Sequence, residues 1–421
     1  MPAVIAEPVR RAGYGQLFAV SEFRALYVAR TLSLLGDQLA RVALAVLVFR
    51  ETNSAFMTAL VYALTFLPYI GGLLLAGLAD RRPRRAVLIC GDVISMVAIG
   101  AMAVPGLPLS VLCGLLIIAT LVNPVYDAAR AALLPEVLPG DLYVLGSAAT
   151  SMTFGAVQVL GFGLGGALVA LVGPRPALAL DALTFVVSAA VLRLWTRRRA
   201  AAMSGERPVA QLISGAQLVF GTVQLRRLVW LAWSNAFWIV PEGLAAPYAH
   251  SLNGGAAATG LLLAAAPLGC VLGSLVVARF DPERRIRLIY PLAALAALPL
   301  TLVALHPGLS GALLLWALSG VGTAYNLPAN AVFMRALPNE RRGQGFALAN
   351  AGIITGQGLA VLIAGVAAVA IGSTYVIALA GGMGLAVVCL LALHGREALE
   401  PSSVLATRTT ACPALAADIT R

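Results

Sequence analysis

The sequence predicts an all-α membrane protein whose twelve transmembrane helices form two pseudo-symmetric six-helix halves. Of its 421 residues, 60% are hydrophobic and only 11% are charged, whereas soluble domains carry about 25% charged and about 45–50% apolar residues. The apolar runs are about twenty residues long, which is the length that crosses a hydrocarbon core as a helix. A β-barrel is excluded because its strands would alternate polar and apolar residues in short runs. Landmark residues also recur between the two halves.

Twelve apolar spans are separated by short segments rich in Gly, Pro, Asn and Ser, which mark turns. The predicted spans are residues 24–49, 56–79, 86–104, 108–129, 142–172, 175–195, 226–250, 256–279, 286–305, 308–331, 344–371 and 373–394. Several spans contain Pro or Gly, which membrane helices tolerate when neighbouring helices satisfy the freed backbone groups.

The arginine distribution predicts that both termini are cytoplasmic. All 29 basic residues are arginine. With the N-terminus inside, only Arg50 and Arg175 fall in outer loops, while Arg30 and Arg41 lie within the first span. Because positive charge favours the cytoplasmic side, we expect a multi-pass protein of the plasma (inner) membrane. The net charge of +11 is then an orientation signal, and no nucleic acid partner is expected. The scattered cysteines predict no metal site.

The second half of the chain repeats landmarks of the first. A shift of 199 residues brings Pro68 onto Pro267 and Gly173 onto Gly372, and Asn123-Pro124 is echoed at Asn326. The predicted domains are an N-terminal six-helix half (1–195), a cytoplasmic linker with an interfacial helix (196–225), a C-terminal six-helix half (226–394) and a disordered cytoplasmic tail (395–421). Such parallel repeats are typical of transporters that rock one half against the other.

The loop after the second span carries a resemblance to a known family. Residues 76–88 read AGLADRRPRRAVL, which resembles the major facilitator superfamily signature G-x-L-A-D-R-x-G-R-K-x-x-L. Ala76 and Pro83 replace the two glycines of that signature. At subfamily level Leu35-Gly36-Asp37, the ARAALLPE segment 129–136 and the ALDALTF segment 179–185 are similar to the macrolide and multidrug exporters and the enterobactin-exporter-like group.

This resemblance implies a secondary active transporter that is not an enzyme. It implies proton-coupled efflux of amphipathic small molecules (drugs, antibiotics or siderophore-like metabolites) by alternating access. The proton gradient drives transport and no cofactor is expected; the partners are the substrate and the lipid bilayer, and the chain is expected to act as a monomer. No ATP is expected, because the glycine-rich spans follow no strand and precede no phosphate-binding lysine. The alternatives are an importer or facilitator of a small metabolite and, more remotely, a membrane-embedded enzyme or a lipid flippase-like protein.

Ionisable residues at membrane depth are the candidates for proton coupling or cavity lining, since burying them in lipid is costly. Arg30, Asp37 and Arg41 share one face of the first span. They form either a structural ladder with an i,i+4 pair between Asp37 and Arg41, or a set in which Asp37 responds to protons or faces the substrate. Glu242 follows Pro241 at a predicted helix break. It is either a group that takes up a proton outside and releases it inside, or a solvated acid at the outer rim.

Two further groups complete the candidate site. Trp233 and Trp238 either line a cavity for an aromatic ligand or anchor the chain at the membrane interface. The resemblance also implies a cytoplasmic gate, in which the signature Asp lies near the N-terminus of span 11. In this gate Arg84 pairs with an acid at the inner end of span 4, the place that Asp127 occupies. The predicted gate and signature-loop residues are Asp80, Arg81, Arg84, Arg85, Asp127 and Arg130. The alternative for this loop is a set of solvated charges that fix topology.

Overall fold

The computed structural model describes residues 13–69, 71, 82–199, 208–338 and 341–395, and this part of the chain is helical without any β-strand. The N-terminal half contains α1 (Tyr14–Ala19), α2 (Ser21–Thr52), α3 (Ala55–Ala63), α4 (Arg84–Met102), α5 (Leu109–Val137), α6 (Asp141–Val172) and α7 (Pro174–Trp195). The rest contains α8 (Pro208–Gly221), α9 (Val223–Trp233), α10 (Asn235–Trp238), α11 (Val240–Gly243), α12 (Ala245–Ser251), α13 (Ala256–Val277), α14 (Pro282–Arg287), α15 (Ile289–Thr301), α16 (Gly308–Gly322), α17 (Asn326–Ala336), α18 (Arg342–Ile371) and α19 (Ser373–Gly395).

Within the described ranges, nine helical stretches are long and apolar enough to cross a membrane. They are α2, α4, α5, α6, α7, α13, the joined α16–α17 stretch, α18 and α19. The predicted all-α membrane class is confirmed. The three other predicted spans differ in form: span 56–79 reaches beyond the described residues, span 226–250 is broken into α9 to α12, and span 286–305 is a shorter helix that ends in a 3₁₀ turn.

Equivalent turns in the two halves share a backbone conformation. Asn53 ends α2 with φ 47° and Asn253 follows α12 with φ 57°, both in the left-handed region. Gly173 joins α6 to α7 with φ 89°, and Gly372 joins α18 to α19 with φ 83°. Glycine adopts such angles without steric cost, and Asn is the side chain that tolerates them best. These four turns lie at what we term the opposite end of the bundle, away from the basic end where the arginine-rich segments 82–85, 193–199 and 284–287 lie.

The packing of the core shows which end of the molecule is closed. One continuous cluster of buried residues runs through both halves toward the opposite end, and it includes Leu44, Leu112, Leu244, Leu262 and Val361. Toward the basic end, the described buried residues separate into one cluster formed by the N-terminal half and another formed by residues 219–349. Among the described residues the halves therefore share a buried core at the opposite end but have separate buried clusters at the basic end, the arrangement expected where a cleft divides them.

Close helix contacts between the halves depend on glycine. Gly166 of α6 and Gly260 of α13 face each other so closely that a Cβ on Gly166 would lie 2.6 Å from the Gly260 Cα and 3.0 Å from the Ala256 carbonyl oxygen. Small residues at such sites allow two membrane helices to approach at backbone distance. The aromatic ring of Phe49 and the imidazole of His250 add a second contact between the halves, with their ring centres 5.3 Å apart.

We predict that Gly166→Ala destabilises the protein although alanine is the better helix former. The new methyl group meets backbone atoms that cannot move aside, and such overpacking costs about 1–3 kcal/mol. Gly163→Ala is the matched control, because its Cβ would lie 3.9 Å from the Ala264 Cβ, an ordinary contact. Thermal unfolding of the purified variants measures the difference. Equal melting temperatures for the two variants would contradict the proposed backbone contact.

Candidate functional site

A hydrogen bond between the two halves lies at membrane depth within the shared core. The Tyr62 hydroxyl of α3 donates to Glu242 Oε2 of α11 at 2.6 Å. Arg41 of α2 lies close enough to interact electrostatically with both groups, and its guanidinium carbon lies 5.7 Å from the centre of the Phe66 ring. A cation, a phenol and a carboxyl group from three helices thus meet where the halves join.

The local sequence explains why Glu242 reaches this position. Pro241 cannot donate a backbone hydrogen bond and interrupts regular helix, so the α10–α12 segment consists of short turns. Gly243 packs directly against the side chain of Val361 in α18, where an added Cβ would collide. The short α11 turn is held against α18 in this way, and it directs the Glu242 side chain toward Tyr62 of the other half.

A second polar group lies within the N-terminal half. Arg30 of α2 pairs with Asp127 of α5, with Nη2 and Oδ1 2.9 Å apart and side-chain exposures of 19% and 37%. The Arg30 guanidinium carbon also lies 5.7 Å from the centre of the Tyr126 ring. Arg130, about one turn after Asp127, donates to Thr150 Oγ1 at 3.3 Å. This ion pair therefore ties α2 to α5, and Arg130 ties α5 to α6.

Asp37 lies between two arginines but makes no ion pair with either in the described part of the chain. Its charge interacts with those of Arg30 and Arg41, yet both arginines extend to groups on neighbouring helices. The expected i,i+4 ion pair between Asp37 and Arg41 does not form, because those groups hold the guanidinium away. Asp37 and Arg41 instead line a cavity of about 60 Å³ inside the N-terminal half. Its other polar lining residues are Thr65, Ser95, Thr120 and Asn123.

Two further carboxyl groups lie deep in the same half. Asp92 accepts a hydrogen bond from Ser188 Oγ at 2.6 Å. Asp181 is fully buried; its Oδ1 accepts from Thr184 Oγ1 at 3.3 Å, while its Oδ2 has no hydrogen-bond partner among the described residues. Gly36 packs directly against the Asp181 carboxyl group, where a Cβ would collide. The glycine before Asp37 is therefore required by a close contact between α2 and α7.

An ion-pair network holds the basic end of the N-terminal half together. Glu22, at the start of α2, accepts a hydrogen bond from Arg199 Nη2 at 2.9 Å and another from the Arg197 backbone at 3.0 Å. The hydrogen bond to Glu22 raises the pKa of Arg199 above its ordinary value. Arg84 pairs with Glu136, whose second oxygen lies 3.5 Å from Arg199 Nε. The first residues of the linker are thereby fixed to this half.

The implied gate pair has other partners in the structure. Arg84 was expected to pair with Asp127, but Arg84 contacts Glu136 and Asp127 contacts Arg30. The reason is position along α5: Glu136 lies near the end of this helix, beside the start of α4, whereas Asp127 lies deeper in the bundle within reach of α2. The contacts of both residues stay within the N-terminal half.

The remaining residues of the signature loop are only partly described. Asp80 and Arg81 lie outside the described residues, so their gate role stays a prediction. Arg85 is described and donates a hydrogen bond to the Arg193 backbone carbonyl near the end of α7. This bond ties the start of α4 to α7 at the basic end.

The two candidate tryptophans pack within the C-terminal half. The Trp233 indole donates to the Ala349 carbonyl of α18 at 3.2 Å. Trp238 is 7% exposed, and its indole donates to the Tyr325 hydroxyl at 3.4 Å. Both indoles therefore bridge the short helices of the seventh predicted span to neighbouring elements of the same half.

Comparison with known proteins identifies the family to which this membrane protein belongs. The family profile of the Major Facilitator Superfamily matches residues 26–329 and 243–415, so the chain belongs to that superfamily. It is therefore a multi-pass membrane protein of a transporter family. A search of curated protein sequences gives no match.

Solved structures share the fold at low sequence identity. A POT family transporter in complex with 5-aminolevulinic acid has a TM-score of 0.74 at 12% identity, covering 93% of this chain and 99% of that chain. A bacterial homologue of the human lysosomal transporter Spinster, inward-facing and unoccupied, has a TM-score of 0.67 at 16% identity, covering 94% of this chain and 98% of that chain. A bacterial homologue of the iron transporter ferroportin, inward-facing, has a TM-score of 0.67 at 17% identity, covering 89% of this chain and 98% of that chain. At these identities the likeness establishes the fold alone.

Several site residues were not found from the sequence. Tyr62 resembles any other aromatic residue of an apolar span, and only the packing of the halves brings it to Glu242. Asn235 and Asn326 form a reciprocal amide pair with N–O distances of 3.2 and 3.3 Å. The repeat does mark Asn326 as the counterpart of Asn123, but it gives no signal for the partner on α10.

We predict that breaking the Arg30–Asp127 pair destabilises the protein. Asp127→Asn leaves a partly buried guanidinium without its counterion, at a cost of about 1–3 kcal/mol. The double variant with Arg30→Gln should cost less than the sum of the two single changes. Glu283→Gln is the control, because its pair with Arg287 is 3.9 Å long and exposed. Thermal unfolding of the four variants tests this, and additive effects at Arg30 and Asp127 would contradict the interaction.

Proposed function

We propose that the protein is a proton-coupled exporter of amphipathic small molecules that works by alternating access. In this it would resemble the macrolide and multidrug exporters and the enterobactin-exporter-like group. The observation that carries the proposal is the Tyr62–Glu242 hydrogen bond beside Arg41, a titratable contact between the two halves. With the orientation that the arginines predict, the cleft opens to the cytoplasm and this contact closes the outer side.

Glu242 can couple protons to this movement because its surroundings depend on the position of the halves. When the halves separate at the opposite end, the carboxyl group loses Tyr62 and Arg41 and meets the outer solution. Protonation removes the negative charge that interacts with Arg41 and also removes the cost of burying that charge, so the balance between the two arrangements depends on whether Glu242 carries a proton. By linkage, the movement of the halves in turn changes the affinity of Glu242 for a proton. This dependence lets a proton gradient drive the movement.

Export of an amphipathic substrate requires a cleft that can hold both polar and apolar groups. Toward the basic end the N-terminal half contributes the Arg30–Asp127 pair, whose side chains are partly exposed. The two separate apolar clusters form the opposing bodies of the halves at this end. A molecule entering between the halves from the cytoplasm or the inner leaflet would meet this ion pair on otherwise largely apolar helices, a combination that suits amphipathic ligands.

We predict that expressing the chain in efflux-deficient bacterial cells lowers the accumulation of ethidium or erythromycin, and that a protonophore restores it. Glu242→Gln should abolish this effect because the group can no longer exchange a proton. Asp37→Asn tests the other acid that the sequence offers for proton coupling, and Tyr62→Phe should weaken export by removing the hydrogen bond to Glu242. Intracellular probe concentration is the measurement.

The control for these variants is Glu51→Gln, an acid at the opposite end that pairs with Arg175 at 2.6 Å and is exposed at its surface. It should leave export unchanged. A fall in accumulation that neither the protonophore nor Glu242→Gln reverses would contradict coupling at Glu242. Raised accumulation would favour the alternative, an importer or facilitator of a small metabolite.

A further inference from the structure

A small pocket in the C-terminal half is lined by neutral amides. It has a volume of about 110 Å³ and lies between α9, α17 and α18. Its polar lining residues are Asn326, Asn330 and Asn350, and the remaining lining side chains, which include Phe333 and Phe346, are apolar. Drug-sized ligands occupy sites of about 300–1,000 Å³. The pocket therefore has room for one functional group of a larger molecule.

Two of these amides have hydrogen-bonding capacity to spare. Asn326 is held in place by its reciprocal pair with Asn235 and by a bond to the Thr323 carbonyl at 3.0 Å. Asn330 and Asn350 make no hydrogen bond within the described part of the chain, and neither is fully buried. Each amide offers two N–H donors and one carbonyl acceptor. Fixed, uncharged donors and acceptors of this kind match a hydroxyl or carbonyl group.

The pocket lies on the side of α18 opposite to Leu359. Asn350 lies nine residues before Leu359, which is 47% exposed on the outer surface of α18. Nine residues turn a helix by about 180°, so the two side chains point in opposite directions. Phe346 lies one turn before Asn350 on the same face and is 51% exposed. Asn330 of α17 is also exposed, so the pocket is open on the side where these two side chains lie.

The matching position in the N-terminal half has the opposite character. Asp127 lies four residues after Asn123, and Asn330 lies four residues after the equivalent Asn326. Asp127 is paired with Arg30, whereas Asn330 is neutral and unpaired among the described residues. At equivalent positions the N-terminal half therefore carries an ion pair, which forms a charged wall, and the C-terminal half carries a neutral amide.

We propose that this pocket binds an uncharged hydroxyl- or carbonyl-bearing part of the substrate through Asn330 and Asn350. Phe333 and Phe346 contact the apolar atoms beside that group. The inference rests on the proposed function for the presence of a substrate in the cleft. It adds that substrates are selected for a neutral hydrogen-bonding group, while the charged wall of the N-terminal half is a separate contact.

Equilibrium binding in lipid nanodiscs tests this without any proton gradient, so the result is independent of proton coupling and of transport direction. Three naphthalene sulfonamide probes share one fluorophore and carry a hydroxyethyl, a carboxyethyl or a trimethylammonioethyl group. Energy transfer from tryptophan reports binding, since Trp233 contacts Ala349 beside the pocket. The hydroxyethyl probe should bind most tightly. Asn330→Leu and Asn350→Leu should each weaken it about threefold to tenfold, the value of one hydrogen bond.

Asn330→Asp is the variant that separates recognition from a change in folding. It introduces at this site the carboxylate that the N-terminal half carries at Asp127, and it should shift preference to the trimethylammonioethyl probe. The proposal is overturned if wild-type protein binds none of the probes or binds a charged probe best. It is also overturned if both leucine variants, with unchanged thermal stability, bind the hydroxyethyl probe as the wild type does.

Discussion

Backbone contact between the halves at one end is the constraint on which the rest of the structure depends. Gly166 and Gly260 allow α6 and α13 to approach until no side chain fits between them, and a single apolar core then extends through both halves. Membrane helices gain little from burying apolar surface against one another, so close packing and hydrogen bonds must hold them together. The two halves are therefore held together at this end, while their buried clusters stay separate at the basic end.

The polar groups are distributed unequally between the halves. The N-terminal half carries Arg30, Asp37, Arg41 and Asp127 at membrane depth, while Glu242 is the one acid that the sequence places inside the C-terminal spans. That acid is also the residue that contacts the other half. The charged side chains at membrane depth therefore lie at the contact between the halves and within the N-terminal half. The pocket of the C-terminal half, by contrast, is lined by amides, aromatic rings and aliphatic side chains and has no charged lining residue.

The fold was largely predictable because hydropathy, arginine placement and the repeat are linear properties of the chain. The candidate acids were also found, since a carboxyl group in an apolar span is conspicuous. Their partners were not: Arg84 and Arg30 each had two acids within plausible reach, and only the ends of α4 and α5 decide between them. Tyr62 and Asn330 carry no linear signal, because their roles come from helices that meet across the bundle. The breaks within the seventh span were predicted at Pro241 alone.

The most direct test measures whether the charge of Glu242 controls the closed end. Spin labels at Arg50→Cys and Ser251→Cys, exposed positions on the two halves at the opposite end, would be placed in a variant whose native cysteines are replaced by alanine. Between about pH 8 and about pH 5 the population with a longer distance between the labels should change, since the charge of Glu242 sets its interaction with Arg41 and the cost of its burial. Glu242→Gln should show one distance distribution at both pH values and should differ from the wild type at one of them. A distance distribution that is unchanged by pH and by Glu242→Gln would contradict the account.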